Sequence, residues 1–129
     1  MRQLITSAVL GTMLAVTGCR TATVYNVPRT ATGVPATTTM KQVSEAIWAA
    51  GRREGWRVRE VTPGQINAEK SVRTHRALVR IDYDVNGFDI TLVEADNLLY
   101  DGTSVHGTYN LWAKQLEKSI QDGLRFRFR

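Results

Sequence analysis

The chain has 129 residues, a formal net charge of +5, one cysteine and two histidines. A single cysteine excludes an intramolecular disulfide, and with only two histidines the chain has too few ligands for a Cys/His zinc site. The length allows one modest domain, which can fold without covalent cross-links. The positive charge favours anionic partners.

The first 18 residues have the layout of a secretory signal. Arg2 is followed by a run without charge that extends through Val16, and small residues lead up to Cys19. The run is shorter than the roughly 20 residues of a spanning helix, so it predicts export rather than a permanent span. Because export separates the protein from cytoplasmic nucleic acid, no nucleic-acid partner is expected.

The segment Val16-Thr17-Gly18-Cys19 resembles the lipobox of bacterial lipoproteins, in which the cysteine is lipidated and becomes the first mature residue. The resemblance implies that residues 1–18 are a cleaved signal peptide. It also implies acyl chains, palmitate among them, on Cys19, and several chains anchor a protein stably where one does not. In enterobacterial sorting, Asp after the cysteine favours the inner membrane. Arg20 therefore implies the periplasmic side of the outer membrane.

Residues 19–39 are rich in threonine and contain two prolines and a glycine. They show no sustained helical or alternating pattern, which is typical of a linker. We expect a lipidated N-terminus and a tether here. Residues 24–27 remain open as a short edge strand.

Residues 40–124 carry the patterns of an α+β domain. Thr39 and Gln42 fit a capping box at the start of a helix, and Gly55 is suited to end it. Two alternating segments on either side of Pro63-Gly64 predict a hairpin.

A second hairpin is predicted around Asn86-Gly87. Apolar residues occupy the odd positions from 77 to 85, and the even positions 88, 90 and 92 continue the same face. A two-residue type I′ turn at Asn86-Gly87 would pair Val85 with Phe88. A second helix is expected over about 107–124, capped by Ser104 or Thr108. The expected architecture is an antiparallel sheet of four to five strands with two helices packed on one face.

Three short motifs lead into the second helix, the last of them within it: Tyr100-Asp101-Gly102, Val105-His106 and Tyr109-Asn110-Leu111-Trp112. The succession resembles that of a family of small Gram-negative lipoproteins without assigned function. The resemblance implies an antiparallel sheet followed by a C-terminal helix, and it supplies no substrate, cofactor or catalytic residue. We interpret Tyr100, His106, Tyr109, Asn110 and Trp112 as structural. The alternative is an envelope enzyme that uses His106 with Tyr100 or Tyr109 as acid and base.

Charge is segregated along the mature chain. Residues 20–80 contain 11 basic and 4 acidic side chains, whereas residues 81–122 contain 2 basic and 8 acidic ones. The alternation places four arginines on the wet face of the sheet, where they would bind phosphate or carboxylate groups: Arg57, Arg59, Arg76 and Arg80. The competing interpretation is that they pair with Glu69, Asp82, Asp84 and Asp89 across strands.

Two further features stay open. Trp48 lies off the apolar stripe of the first helix, so it is either an interface anchor or packed beneath the tether or tail. The tail 125–129 alternates Arg and Phe and is an edge strand, a membrane contact or a disordered end. The hypothesis that follows is a lipid-anchored, non-catalytic periplasmic protein that binds an envelope component or protein partner through its basic sheet face, with a purely structural spacer as the remaining alternative.

Overall fold

The computed structural model describes residues 20–128, which form seven strands and two helices. The signal peptide predicted for residues 1–18 and the lipidation site Cys19 lie outside the described residues. In chain order the elements are β1 (Thr21–Thr23), β2 (Val27–Ala31), α1 (Met40–Arg53), β3 (Arg57–Thr62), β4 (Gln65–Val72), β5 (His75–Tyr83), β6 (Gly87–Asp96), β7 (Ser104–His106) and α2 (Gly107–Arg127).

Five strands form one antiparallel sheet in the order β2-β6-β5-β4-β3, and β1 pairs with β7 in a separate two-stranded sheet. Both helices cover the same apolar face of the large sheet and pack against each other in one core. The predicted α+β fold is confirmed. Within residues 20–128, neither helix combines the length and apolar character needed to cross a membrane.

The helix ends follow local sequence chemistry. The Thr39 hydroxyl accepts a hydrogen bond from the backbone N–H of Gln42 (3.2 Å), and the Gln42 side chain accepts one from the backbone N–H of Thr39 (2.9 Å). The predicted capping box is therefore confirmed. Gly55, at φ +83°, follows the end of α1. At α2 the cap is His106, whose Nδ1 accepts from the N–H of Thr108 (3.1 Å), rather than Ser104 or Thr108.

The C-terminal residues 125–127, predicted as a separate tail, are the last turn of α2. Phe128 is half-buried against the core, and the Arg127 guanidinium lies 3.6 Å from the Glu45 carboxylate on α1. The expected helix end near residue 124 is thus one turn too early. The alternating Arg and Phe belong to a helix rather than a strand.

The turn between β5 and β6 is longer than predicted. Tyr83, rather than Val85, pairs with Phe88. The register differs from the prediction by two residues, so the same side chains remain buried. The Asp84 carboxylate accepts hydrogen bonds from the backbone N–H groups of Asn86 (2.7 Å) and Gly87 (2.9 Å). This closure replaces the type I′ turn, and neither Asn86 nor Gly87 has the positive φ that such a turn requires.

Residues 20–39 are folded into the domain and do not form a tether. Val27 is 1% exposed and pairs with Ile90, which makes β2 the edge strand beside β6. The Thr32 hydroxyl donates to the carbonyl of Val85 (2.6 Å). An edge strand was considered for residues 24–27. The observed strand β2 begins at Val27, so it lies mainly C-terminal to that segment.

Asn110 joins this N-terminal segment to α2. Its Oδ1 accepts from the backbone N–H of Tyr25 (2.9 Å), and its Nδ2 donates to the carbonyl of Thr23 (2.9 Å). The Tyr25 hydroxyl in turn donates to the Glu117 carboxylate (2.8 Å). One side chain therefore satisfies two backbone groups between β1 and β2.

We predict that Asn110→Ala lowers the free energy of unfolding by about 1 to 3 kcal/mol, because the partly buried N–H of Tyr25 and the exposed carbonyl of Thr23 lose their partner. Urea denaturation followed by circular dichroism measures the change. Gln115→Ala, an exposed position on the same helix, is the matched control and should have little effect. Equal losses in the two variants would contradict the role assigned to Asn110.

Candidate functional site

The four arginines predicted on the wet face of the sheet all project from the face that the helices leave uncovered. Arg57 and Arg59 lie on the edge strand β3, and Arg76 and Arg80 lie on β5. In the register, Asn67 of β4 is aligned with both Arg59 and Arg80, so these three residues form one row across the sheet. The alternation in the sequence was sufficient to predict this placement.

Arg76 is engaged by three carboxylates. Its guanidinium lies 2.9 Å from Glu69, 3.0 Å from Asp96 and 3.4 Å from Glu94. Hydrogen bonds to Glu69 and Asp96 raise the pKa of Arg76 further above its usual value. The N–H groups of this guanidinium therefore already donate to carboxylates of the sheet. Arg76 is for this reason poorly suited to bind a ligand.

A β-bulge explains how Arg76 acquires these partners. Leu92 is aligned with Val79, whereas Glu94 is aligned with Leu78, so Val93 is an extra residue in β6. The extra residue reverses the alternation of β6 beyond Leu92. Glu94 and Asp96, which uninterrupted alternation would turn toward the core, are therefore placed on the outer face. The sequence reasoning missed both acids for this reason.

Arg80 has a weaker partner. Its Nε lies 3.0 Å from the carboxylate of Asp82, two residues further along the same strand, and both side chains are about half exposed. Exposed pairs of this kind contribute little to stability and exchange readily with solvent. Arg80 therefore remains accessible to a second anion.

Arg57 and Arg59 differ from the other two, since neither has an ion pair or a side-chain hydrogen bond to another residue of 20–128. Glu69 is aligned with Arg57 but binds Arg76 instead. Together with Asn67, Glu69 and Leu78, the two arginines line a shallow open concavity of about 470 Å³. The competing interpretation, in which acids pair with all four arginines across strands, describes Arg76. Arg80 pairs with Asp82 along the same strand, and Arg57 and Arg59 have no such partner within residues 20–128.

The acidic residues Asp82, Asp84 and Asp89 lie toward the other end of the same hairpin. Asp84 binds Arg29 at 2.6 Å, and this contact lowers the pKa of Asp84. Asp89 is aligned with Asp82, and partial burial together with the Asp82 charge raises the pKa of Asp89. Within residues 20–128, no three acidic, histidine or cysteine side chains are grouped as a metal site would require.

Trp48 is half-buried on α1 and packs against the core. It lines a groove whose other wall includes Arg127 from the last turn of α2. Trp48 therefore lies beside C-terminal residues with part of its ring accessible, and both the interface anchor and the packed position stay predictions. Trp48 lies on the helical side of the molecule, away from the arginines of the sheet.

The motif residues before and within α2 have local contacts. His106 caps α2 through Nδ1, and Asn110 holds the N-terminal segment. Tyr109 is fully buried, its hydroxyl has no hydrogen-bond partner among residues 20–128, and burial raises its pKa. Tyr100 is half-buried against the core. These contacts do not join a histidine to a tyrosine hydroxyl in an acid–base pair.

Trp112 packs edge-on against Trp56, with 6.5 Å between the ring centroids. The Lys70 ammonium lies 5.3 Å from the Trp112 ring and donates to the carbonyl of Glu54 (2.8 Å). This cation–π contact ties α2 to the end of α1 and to β4. The sequence reasoning identified Trp112 as structural but did not single out Lys70.

No protein-family model, curated protein or solved structure matches this chain significantly. The resemblance to small Gram-negative lipoproteins therefore stays a prediction. The assignment of the arginine-bearing face depends on its geometry alone.

We predict that Arg76→Gln lowers the midpoint of urea unfolding more than Arg59→Gln does, because only Arg76 bridges carboxylates from two strands. Parallel denaturation curves for the two variants measure the difference. Added salt should reduce the difference between the two unfolding midpoints, because the ion pairs of Arg76 are partly exposed. An equal effect of both substitutions would show that the Arg76 network contributes nothing specific.

We predict that Asp89→Asn raises stability at neutral pH. Since the pKa of Asp89 is raised in the folded state, ionisation of this group opposes folding above that pKa. The advantage of the variant should disappear as the pH falls through the raised folded pKa toward the unfolded one. Denaturation midpoints measured across this pH range are the readout.

Asp122→Asn provides a control of opposite sign. Lys118 lowers the pKa of Asp122, so its ionised form favours folding above the unfolded pKa. This variant should lose stability at neutral pH, and its deficit should disappear in acid. If both variants shifted in the same direction, the electrostatic assignments would be wrong.

Proposed function

We propose that the chain is a lipid-anchored, non-catalytic protein of the Gram-negative envelope that binds an anionic envelope component or an acidic protein partner through Arg57 and Arg59. The observation that carries the proposal is that these two arginines have no ion pair or side-chain hydrogen bond within residues 20–128, whereas Arg76 is bound by three carboxylates.

The spacing of the pair suits a branched anion. Residues two apart on a strand project to the same side about 7 Å apart. Each guanidinium can bind a carboxylate or phosphate through two parallel hydrogen bonds. Asn67 adds an amide to the concavity, and Leu78 adds an apolar surface. The site therefore favours a ligand with negative groups and some apolar character.

The proposal that the protein is non-catalytic is supported by the contacts and burial of His106 and Tyr109. His106 uses Nδ1 to cap α2, and Tyr109 is buried away from solvent. The membrane part is supported by the lipobox-like segment before Arg20. Its proposed location is the periplasmic side of the outer membrane, and neither cofactor nor nucleic acid has a role in it.

We predict that the double variant Arg57→Gln, Arg59→Gln abolishes capture of the partner and leaves the unfolding midpoint nearly unchanged, because neither side chain has an ion pair or hydrogen bond to lose within the described chain. The measurement is crosslinking in intact cells that express the full chain. Bound proteins and glycans are then identified by mass spectrometry.

The control is Arg52→Gln, Arg125→Gln, which removes the same charge from exposed positions on the two helices. Capture should survive in the control, because net charge alone is not what binds. Loss of capture in both double variants would reduce the site to non-specific electrostatics. Empty lanes for parent and variants alike would favour the structural spacer.

A further inference from the structure

Three loops converge where the described chain begins. The Arg20 carbonyl accepts from the N–H of Gly107 (2.9 Å), and the N–H of His106 donates to the carbonyl of Leu98 (2.7 Å). His106 also stacks on His75, with 6.3 Å between ring centroids. Arg20 is therefore fixed against the start of α2, beside the loop after β6 and the turn between β4 and β5.

The contacts between these loops continue on the His75 side. His75 Nδ1 donates to the carbonyl of Asn97 (2.7 Å), and Asn97 Nδ2 donates to the Thr74 hydroxyl (2.6 Å). We call this part of the molecule the anchor end. It comprises Arg20 together with residues 72–75, 97–99 and 106–107.

Backbone strain is concentrated at the anchor end. In residues 20–128, the non-glycine residues with positive φ are Arg73 (56°), Asn97 (54°) and Leu99 (54°), and all three lie here. Asn tolerates this conformation, but Leu and Arg adopt it at a cost in free energy. Strain of this kind persists where the surrounding structure imposes it, and it is concentrated at functional surfaces.

The strained loops present apolar side chains to solvent. Leu99 is 58% exposed and Val72 is 42% exposed. Arg20 and Arg73 are exposed beside them, and Asp96, which precedes this loop, is bound to Arg76. Apolar side chains flanked by unneutralised cations are the composition that an anionic lipid surface binds.

The position of Cys19 in the sequence indicates which kind of surface the anchor end contacts. It directly precedes Arg20 in the sequence. The Arg20 carbonyl accepts a hydrogen bond from Gly107 and β1 begins at Thr21, so the folded domain begins one residue after Cys19 in the sequence. Acyl chains on Cys19 would bring the anchor end to the bilayer surface.

We infer that the anchor end lies against an anionic phospholipid bilayer, with Leu99 and Val72 at the boundary between headgroups and acyl chains and Arg20 and Arg73 at the lipid phosphates. The inference rests on the proposed lipidation of Cys19 and adds an orientation to it. The β4–β5 and β6–β7 connections face the membrane, and the turn at Asn86 points away from it.

The test uses the full-length protein purified from membranes and reconstituted into vesicles of phosphatidylethanolamine and phosphatidylglycerol. Leu99→Cys and, separately, Val72→Cys are labelled with an environment-sensitive dye. A cysteine sulfur that carries lipid does not react with the dye, so an acylated Cys19 stays unlabelled. The control is Asn86→Cys, at the other end of β5 and roughly 25 to 30 Å from the anchor end.

We expect blue-shifted emission at positions 99 and 72 and loss of intensity when lipids with a nitroxide near the headgroup are included. The dye at position 86 should show neither change. Mass spectrometry first establishes that Cys19 is acylated. If the dyes at positions 99 and 72 then behave like the dye at position 86, the proposed orientation is wrong although the lipid anchor is present. Absence of acyl chains on Cys19 overturns both.

Discussion

The constraint on which the structure depends is that the five-stranded sheet has one apolar face, which two helices must cover together. Neither helix is wide enough alone, so α1 and α2 pack side by side and share a core with residues such as Ile66, Ile81 and Ile90. Covering one face leaves the other to solvent. The arginines are available for binding because both helices pack on the opposite side.

A single extra residue in β6 then divides these arginines into two kinds. By turning Glu94 and Asp96 outward, the bulge at Val93 places two carboxylates at Arg76, which also binds Glu69 of β4. Glu69 is consequently unavailable to Arg57, its aligned neighbour. The open pair on β3 is therefore a product of sheet register as much as of composition.

The sequence predicted those features that depend on neighbouring residues. Alternation placed the arginines, and local chemistry at Thr39 and Gly55 set the ends of α1. Features that depend on distant partners were missed. The two strands within residues 20–39 are short edge strands, and they pair with β7 and β6. No local sequence pattern predicts such strands. At Asn86-Gly87 the dipeptide favoured a tight turn, but the carboxylate of Asp84 stabilised a longer one.

The pairing of the N-terminal strands has a consequence for the order of folding. Asn110 contacts Tyr25 and Thr23 across 85 and 87 residues of sequence, and β2 finds its partner only in β6. Contacts between distant segments slow folding because the intervening chain must close first. The N-terminal residues of the domain are therefore synthesised first but are among the last to reach their native contacts. The edge of β6 stays unpaired until β2 binds to it.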